Sequence, residues 1–208
     1  MSKRLPARRV ARLALSCALL GAAAPDSHRA SNGIVHAAGL VSGADPGPPA
    51  AAAIAAAHRL TAQLAERRLL IPVAGVSQQQ LRDTFDERRG DSRHEAIDIP
   101  AQRGTAVMAT DDGRVVKLFH SVPGGLTIYQ TDRANEVIYY YAHLDAYAEG
   151  LREGSTLQRG DVIGYVGSTG NASANAPHLH FAIVQLPPGK EWWKGTAINP
   201  FPVLRTGP

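Results

Sequence analysis

The sequence predicts a mainly β fold: a compact antiparallel β-sheet or barrel-like domain preceded by one helix and a signal peptide. Three observations carry this expectation. After Pro72 the chain breaks into short β-branched and aromatic runs, these are punctuated by Gly, Asp-Gly and Asn, and no run of helical period lies between them. With 208 residues, 44% of them hydrophobic and 19% charged, the chain has apolar material for one domain, or two at most.

The first segment, residues 1–23, has the pattern of a signal peptide. Lys3, Arg4, Arg8, Arg9 and Arg12 form a basic start with no acidic residue, and an apolar run from Leu13 to Ala24 follows. Cleavage is expected after Ala23, with Val35-His36-Ala37 as a second small-x-small candidate. The run has 12 residues. A membrane span needs about 20, so no stable membrane anchor is expected once the signal is cut. Cys17, the single cysteine, falls inside this run, so the exported chain would hold no disulfide. Acylation of Cys17 is disfavoured, because Ala14 stands where a larger aliphatic residue is usual.

The leader also explains the charge. The whole chain has a formal net of +4, but the leader takes five of the 22 basic residues, leaving 17 against 18 acidic ones. The remainder is near neutral, which removes the electrostatic basis for a nucleic-acid partner.

Residues 24–49 are rich in Ala, Gly, Ser and Pro without apolar period and read as a linker. Residues 50–70 place Ile54, Leu60, Leu64 and Leu69 among alanines and charges, an amphipathic helix that must end before Pro72. Its position directly before the β domain raises the hypothesis that it covers a cleft there. Strands are expected at 106–109, 113–119, 126–131, 136–143, 161–166 and 178–184. Asp112-Gly113, the loop 132–135 and Gly160-Asp161 reverse the chain between them.

Chemistry concentrates in three pieces. In Pro177-His178-Leu179-His180-Phe181 the alternation of a strand puts His178 and His180 on one face and Leu179, Phe181 and Ile183 on the other. In Arg93-His94-Glu95-Ala96-Ile97-Asp98 a helical HExxH motif is excluded by Asp98, and Pro100 holds Ile99 extended. His94 and Asp98 still form a nitrogen–oxygen pair that a loop entering a strand can aim at one point. With one more histidine they complete the three-ligand pattern of a hydrolytic zinc centre. In Tyr139-Tyr140-Tyr141-Ala142-His143, alternation groups Val137, Tyr139, Tyr141 and His143 on one face, so Tyr139 and Tyr141 are groove-lining candidates, although a tyrosine face in a β domain is more often packing. Glu95 is not assigned as a base, since neighbours on an extended segment face opposite ways. His28, His36, His58 and His120 lie outside these pieces and are expected at the surface.

RHEAIDI, AQRGTAVMATDDGRV, YYAHL, GDVIGYVGSTGNA and APHLHFAI, in this order and spacing, resemble the lysostaphin/LytM-type zinc peptidases of bacterial peptidoglycan. The similarity runs from about Leu70 to Leu204, so residues 71–204 are expected to be the peptidase domain. Spacing alone leaves open which histidine of the HLH pair is a ligand. The resemblance implies that His94, Asp98 and His180 bind one zinc ion per chain, and that His143 and His178 are non-ligand catalytic histidines. Which of those two is the base and which stabilises the oxyanion is left open. Many members have glycine where this chain has Ala96.

The resemblance further implies an exported enzyme of the periplasm or cell envelope. It would hydrolyse peptide bonds in peptidoglycan stem peptides or cross-links, with the zinc-bound water as nucleophile. Two alternatives stand beside it: a non-catalytic peptidoglycan-binding module or activator of another cell-wall hydrolase, and a secreted peptidase acting on protein. Members without catalysis usually lack one or more ligands, whereas all five positions are filled here.

Overall fold

The computed structural model describes residues 48–208. The expected signal peptide, Cys17 and nearly all of the linker lie outside the described residues, as do His28 and His36. Among the described residues no helix is long and apolar enough to cross a membrane.

In chain order the elements are helix α1 (Pro48–Glu66), a 3-10 turn (Gln78–Gln80), β1 (Arg88–Arg89), β2 (Ser92–Arg93), β3 (Ile97–Pro100), β4 (Ala106–Met108), β5 (Gly113–Ser121) and β6 (Gly125–Asp132). Then follow β7 (Val137–Tyr147), β8 (Thr156–Leu157), β9 (Val162–Val166), β10 (His178–Gln185), β11 (Thr196–Ile198) and the short helix α2 (Pro200–Leu204). All pairings are antiparallel. The main sheet runs β11-β10-β7-β6-β5-β8, with β3 on β10 and with β9 joining β4 to the far half of β7. β1 and β2 form a separate hairpin.

The six expected strands are present, β7 running four residues further than the pattern showed. Strands β1, β2, β3, β8 and β11 and helix α2 are additions; most span only two to four residues, too short for periodicity to register. β3 is the important one. It buries Ile97 and Ile99 and turns Asp98 to the other face, where His180 lies opposite in register.

Helix α1 ends four residues earlier than expected, because Arg68 takes a left-handed backbone (φ 53°) and Leu70 N–H leaves to bond the Thr110 carbonyl at 2.9 Å. Leu60, Leu64 and Leu69 belong to the same buried core as Tyr139, Tyr141, Leu179, Phe181 and Ile183. Just beyond the helix, Arg67 pairs with Asp132 (2.9 Å) and Asp111 (3.3 Å), and Asp111 accepts from Tyr139 Oη (2.9 Å). The helix therefore packs on the core side of the sheet, together with α2. The histidines of β10 occupy the opposite side, and the hypothesis that α1 covers a cleft there is corrected accordingly.

Candidate functional site

On β10 the core face is Leu179, Phe181 and Ile183, all fully buried, and His178 and His180 stand on the other face as alternation requires. Antiparallel pairing then places Asp98 of β3 opposite His180 on one side and Ala142 of β7 on the other. His94 arrives from the end of the β1–β2 hairpin. Between it and Asp98, Glu95 adopts φ 55°, and Ala96 is fully buried without a left-handed backbone, so this position does not require glycine.

Three donor atoms meet. His94 Nε2 is 3.0 Å from His180 Nδ1 and 3.1 Å from Asp98 Oδ1, and His180 Nδ1 is 3.2 Å from the same oxygen. Tetrahedral zinc with bonds of 2.0–2.1 Å separates neighbouring ligands by about 3.3 Å, so this triangle has the dimensions and the nitrogen–oxygen chemistry of such a site. His94, Asp98 and His180 are the group that can hold a metal ion among the described residues. His94 is 5% exposed, whereas Asp98 and His180 retain 22% and 21%, which leaves the cluster open on one side.

Main-chain carbonyls fix three of the four histidine tautomers. His94 Nδ1–H donates to Thr84 O (3.0 Å), His143 Nδ1–H to Thr169 O (2.8 Å) and His178 Nδ1–H to Ala176 O (2.9 Å). Each ring therefore presents the Nε2 lone pair. Thr84 also accepts the Asp98 N–H on its hydroxyl at 3.1 Å, so one residue orients two members of the triangle.

His143 reaches the site by a route the sequence pattern does not show. The pairing of β6 with β7 steps from Leu126↔Leu144 to Ile128↔Tyr141, leaving one extra residue on β7. His143 takes up the slack with φ 62°, and its N–H bonds Gly124 O at 2.8 Å. The bulge turns its ring away from the face of Val137, Tyr139 and Tyr141 and toward His178 and His180, at centroid distances of 5.0 and 5.6 Å. The shared face expected for His143 with Tyr139 and Tyr141 is thus corrected. Both tyrosines are fully buried in the core, Tyr141 Oη bonding Gln130 at 2.6 Å and Tyr139 Oη bonding Asp111. The aromatic neighbour of the site is Tyr140, its ring 5.9 Å from His180 and tilted at 50° against Tyr129 at 4.8 Å. Adjacency to Ala142 on the even face of β7 was the available signal for Tyr140.

Burial disfavours charge on two of the rings. It pushes the His143 imidazole down to about 4, the neighbouring His180 and His178 adding to the effect against the Thr169 carbonyl bond. Burial lowers His180 as well, opposed by Asp98. Burial alone would raise the Asp98 carboxyl, but the His180 and His94 rings beside it outweigh burial and hold it well below the usual carboxylate range. His58 and His120 are exposed, as expected.

Fold and site together define a class: a twisted antiparallel sheet carrying a two-histidine, one-carboxylate triangle, with two further histidines directed at it. The model of peptidase family M23 matches residues 92–200, just over half of the chain. This chain belongs to that family. It is 34% identical over 132 residues to the L-Ala–D-Glu endopeptidase of Bacillus subtilis (strain 168), covering 60% of this chain and 39% of the relative. It is 31% identical over 122 residues to the murein hydrolase activator NlpD of Escherichia coli (strain K12), covering 59% of this chain and 28% of that one. Among solved structures, the lytM protein of Ruminococcus gnavus aligns with a TM-score of 0.53 at 30% identity, over 68% of this chain and 59% of that chain. The chain thus spans less than two fifths of the length of these two curated relatives.

Proposed function

We propose that this chain is a zinc-dependent endopeptidase that hydrolyses peptide bonds in peptidoglycan stem peptides or cross-links, exported to the periplasm or cell envelope, with residues 71–204 as its catalytic domain. The observation that carries the reading is the convergence of five side chains, three of them histidines whose tautomers are set by main-chain carbonyls. His94 Nε2, Asp98 Oδ1 and His180 Nδ1 lie within 3.2 Å of one another, and His178 Nε2 is 3.7 Å from Asp98 Oδ1.

His94, Asp98 and His180 would hold the zinc. When bound, zinc polarises a substrate carbonyl and lowers the pKa of water from 15.7 toward about 7. The protein's own groups do the rest. His143, held neutral by burial, accepts a proton from water at Nε2 and delivers it to the leaving amine, while its Nδ1–H stays bonded to Thr169 O. His178, its ring fixed by Nδ1–H donation to Ala176 O and its Nε2 3.7 Å from Asp98 Oδ1, is placed to donate to the oxyanion from Nε2 once that atom carries a proton.

The likeness to NlpD favours a second reading, activation of another hydrolase without turnover. One experiment separates the two: measure zinc content and muropeptide release for wild type, His94→Ala and His178→Ala on purified peptidoglycan. The peptidase reading expects about one zinc per chain, released peptides from wild type, loss of metal in His94→Ala, and metal without turnover in His178→Ala. Zinc binding with unchanged muropeptides moves the activator reading to the front.

A further inference from the structure

We propose that Arg89 is a positioning residue for Asp98: its guanidinium engages Oδ2 and leaves Oδ1 as the single oxygen of the donor triangle. This rests on reading His94, Asp98 and His180 as a metal site. Arg89 Nη2 donates to Asp98 Oδ2 at 2.9 Å and to Glu87 Oε2 at 3.0 Å, while Asp98 Oδ1 faces His94 and His180. The two oxygens are thereby distinguished. A carboxylate with both oxygens open can rotate or close on a cation through both, and a charge-assisted bond to one of them removes that freedom.

The local fold explains why this arginine does it. Residues 88–93 form a tight hairpin closed at Gly90 (φ 64°) and Asp91, with Arg88 opposite Arg93 and Arg89 opposite Ser92. Cross-strand partners share a face, so Arg88 and Arg93 project to one side and Arg89 to the other. Arg93 is paired with Asp86 at 2.9 Å, and Arg89 alone of the three reaches the donor triangle. The hairpin continues as His94 N–H bonding Glu87 O (2.8 Å) and Glu95 N–H bonding Phe85 O (2.9 Å). The segment 84–89 therefore supplies outer partners to two members of the triangle, Thr84 to His94 and Arg89 to Asp98. Arg89 is 49% exposed, so its replacement removes a charged bond and little packing.

The test uses the full chain as wild type, Arg89→Gln, Arg89→Lys, Glu87→Gln and His94→Ala. Zinc affinity is read by competition with a chromophoric chelator, and the metal-free fold by circular dichroism. The visible spectrum of the cobalt-loaded protein weakens when a carboxylate ligates through both oxygens, because coordination rises above four. Arg89→Gln is expected to weaken zinc binding by about 10–100-fold, to dim the cobalt band, and to lower kcat on peptidoglycan with KM little changed. Arg89→Lys should recover part of each effect, and Glu87→Gln, which leaves the Arg89–Asp98 bond in place, should cost less than Arg89→Gln. Should Arg89→Gln fail to fold, Arg89→Lys against Glu87→Gln carries the same comparison. Wild-type zinc binding that His94→Ala abolishes, combined with unchanged affinity and cobalt spectrum in Arg89→Gln, overturns the role of Arg89 alone. A wild type that takes up no zinc overturns the underlying site as well.

Discussion

His143 and Thr169 hold each other in place across the bulge of β7. The imidazole Nδ1–H donates to Thr169 O at 2.8 Å, and the Thr169 hydroxyl donates to the carbonyl of Leu144, the residue after His143, at 2.7 Å. The same hydroxyl accepts the Leu126 N–H at 3.0 Å, so three chain segments meet at one side chain.

Thr169→Val keeps the carbonyl that binds His143 but removes both hydroxyl contacts. The expected outcome is a loss of about 1–3 kcal/mol, from leaving main-chain groups unpaired. A lower kcat with smaller change in KM should accompany it, since the histidine's support loosens. Urea midpoints and steady-state kinetics check this, and an unaltered kcat would show that the loop does not position His143.

The pH behaviour of His143 follows from its burial. The group is depressed from 6.5 to about 4, so in the metal-free protein it remains neutral through mildly acidic pH. Between those values the unfolded chain binds a proton that the folded chain does not. The stabilisation is complete above pH 6.5 and is lost as pH falls from 6.5 to about 4. Titration of the imidazole C–H resonances should give a midpoint near 4; one near 6.5 would contradict the buried, neutral assignment.

Two glycines with similar backbones should differ in what they tolerate. Gly170 (φ 77°) faces Gly125 N and Pro123 O, which an added Cβ would meet at 2.4 Å, whereas Gly104 (φ 84°) has open space. Gly104→Ala is expected to cost about 1 kcal/mol from the left-handed backbone alone. Gly170→Ala should cost more, about 2–4 kcal/mol, and lower activity through the displaced loop. Equal thermal shifts for the two would mean that the close approach of residues 123–125 to 169–170 is not maintained in solution.

Removing α1 is expected to destabilise the domain, not to release activity. Leu64 is fully buried and Leu60 nearly so. Leu64→Ala should cost about 2–5 kcal/mol. A chain beginning at Leu70 would lose both leucines and the Arg67 pairs, and should unfold at lower temperature than one beginning at Ala24. A truncated chain that matches the longer one in stability but exceeds it in turnover would restore the idea of inhibition by the helix.

Chelation should act on stability and activity together. A metal held only by the folded triangle adds RT ln(1 + [L]/Kd) to stability. Chelator treatment should therefore lower the melting temperature of wild type and leave that of His94→Ala unmoved. Restoring zinc should recover both melting temperature and peptide release in wild type alone.

Much of this site was legible in the sequence because its parts are local. The HLH alternation needs only the period of a strand, and the spacing of His94 and Asp98 is set within five residues. What failed was extrapolation of alternation through Tyr139, Tyr141 and His143. A period-2 pattern assumes an unbroken ladder, and the extra residue on β7 is visible only against β6. Strand β3 hid for a related reason: four residues gain their identity as a strand by pairing with β10. The outer partners Thr84, Thr169 and Arg89 were invisible because nothing in a threonine or arginine marks the atom it will meet 10, 26 or 9 residues away.

By itself, then, the sequence determined the mainly β class, the apolar stripe that buries β10 and the amphipathic helix before the domain, all written in residue type and short-range period. It also offered five candidate side chains, whose roles came from the resemblance of the motifs to a known family. The tertiary structure decided that α1 lies on the core side, that Tyr139 and Tyr141 belong to the core, that His143 is turned to His178 by a bulge, and that carbonyls of Thr84, Thr169 and Ala176 set the tautomers. These depend on register and on main-chain partners brought together by the pairing of distant strands, and such contacts carry no signature in either segment alone.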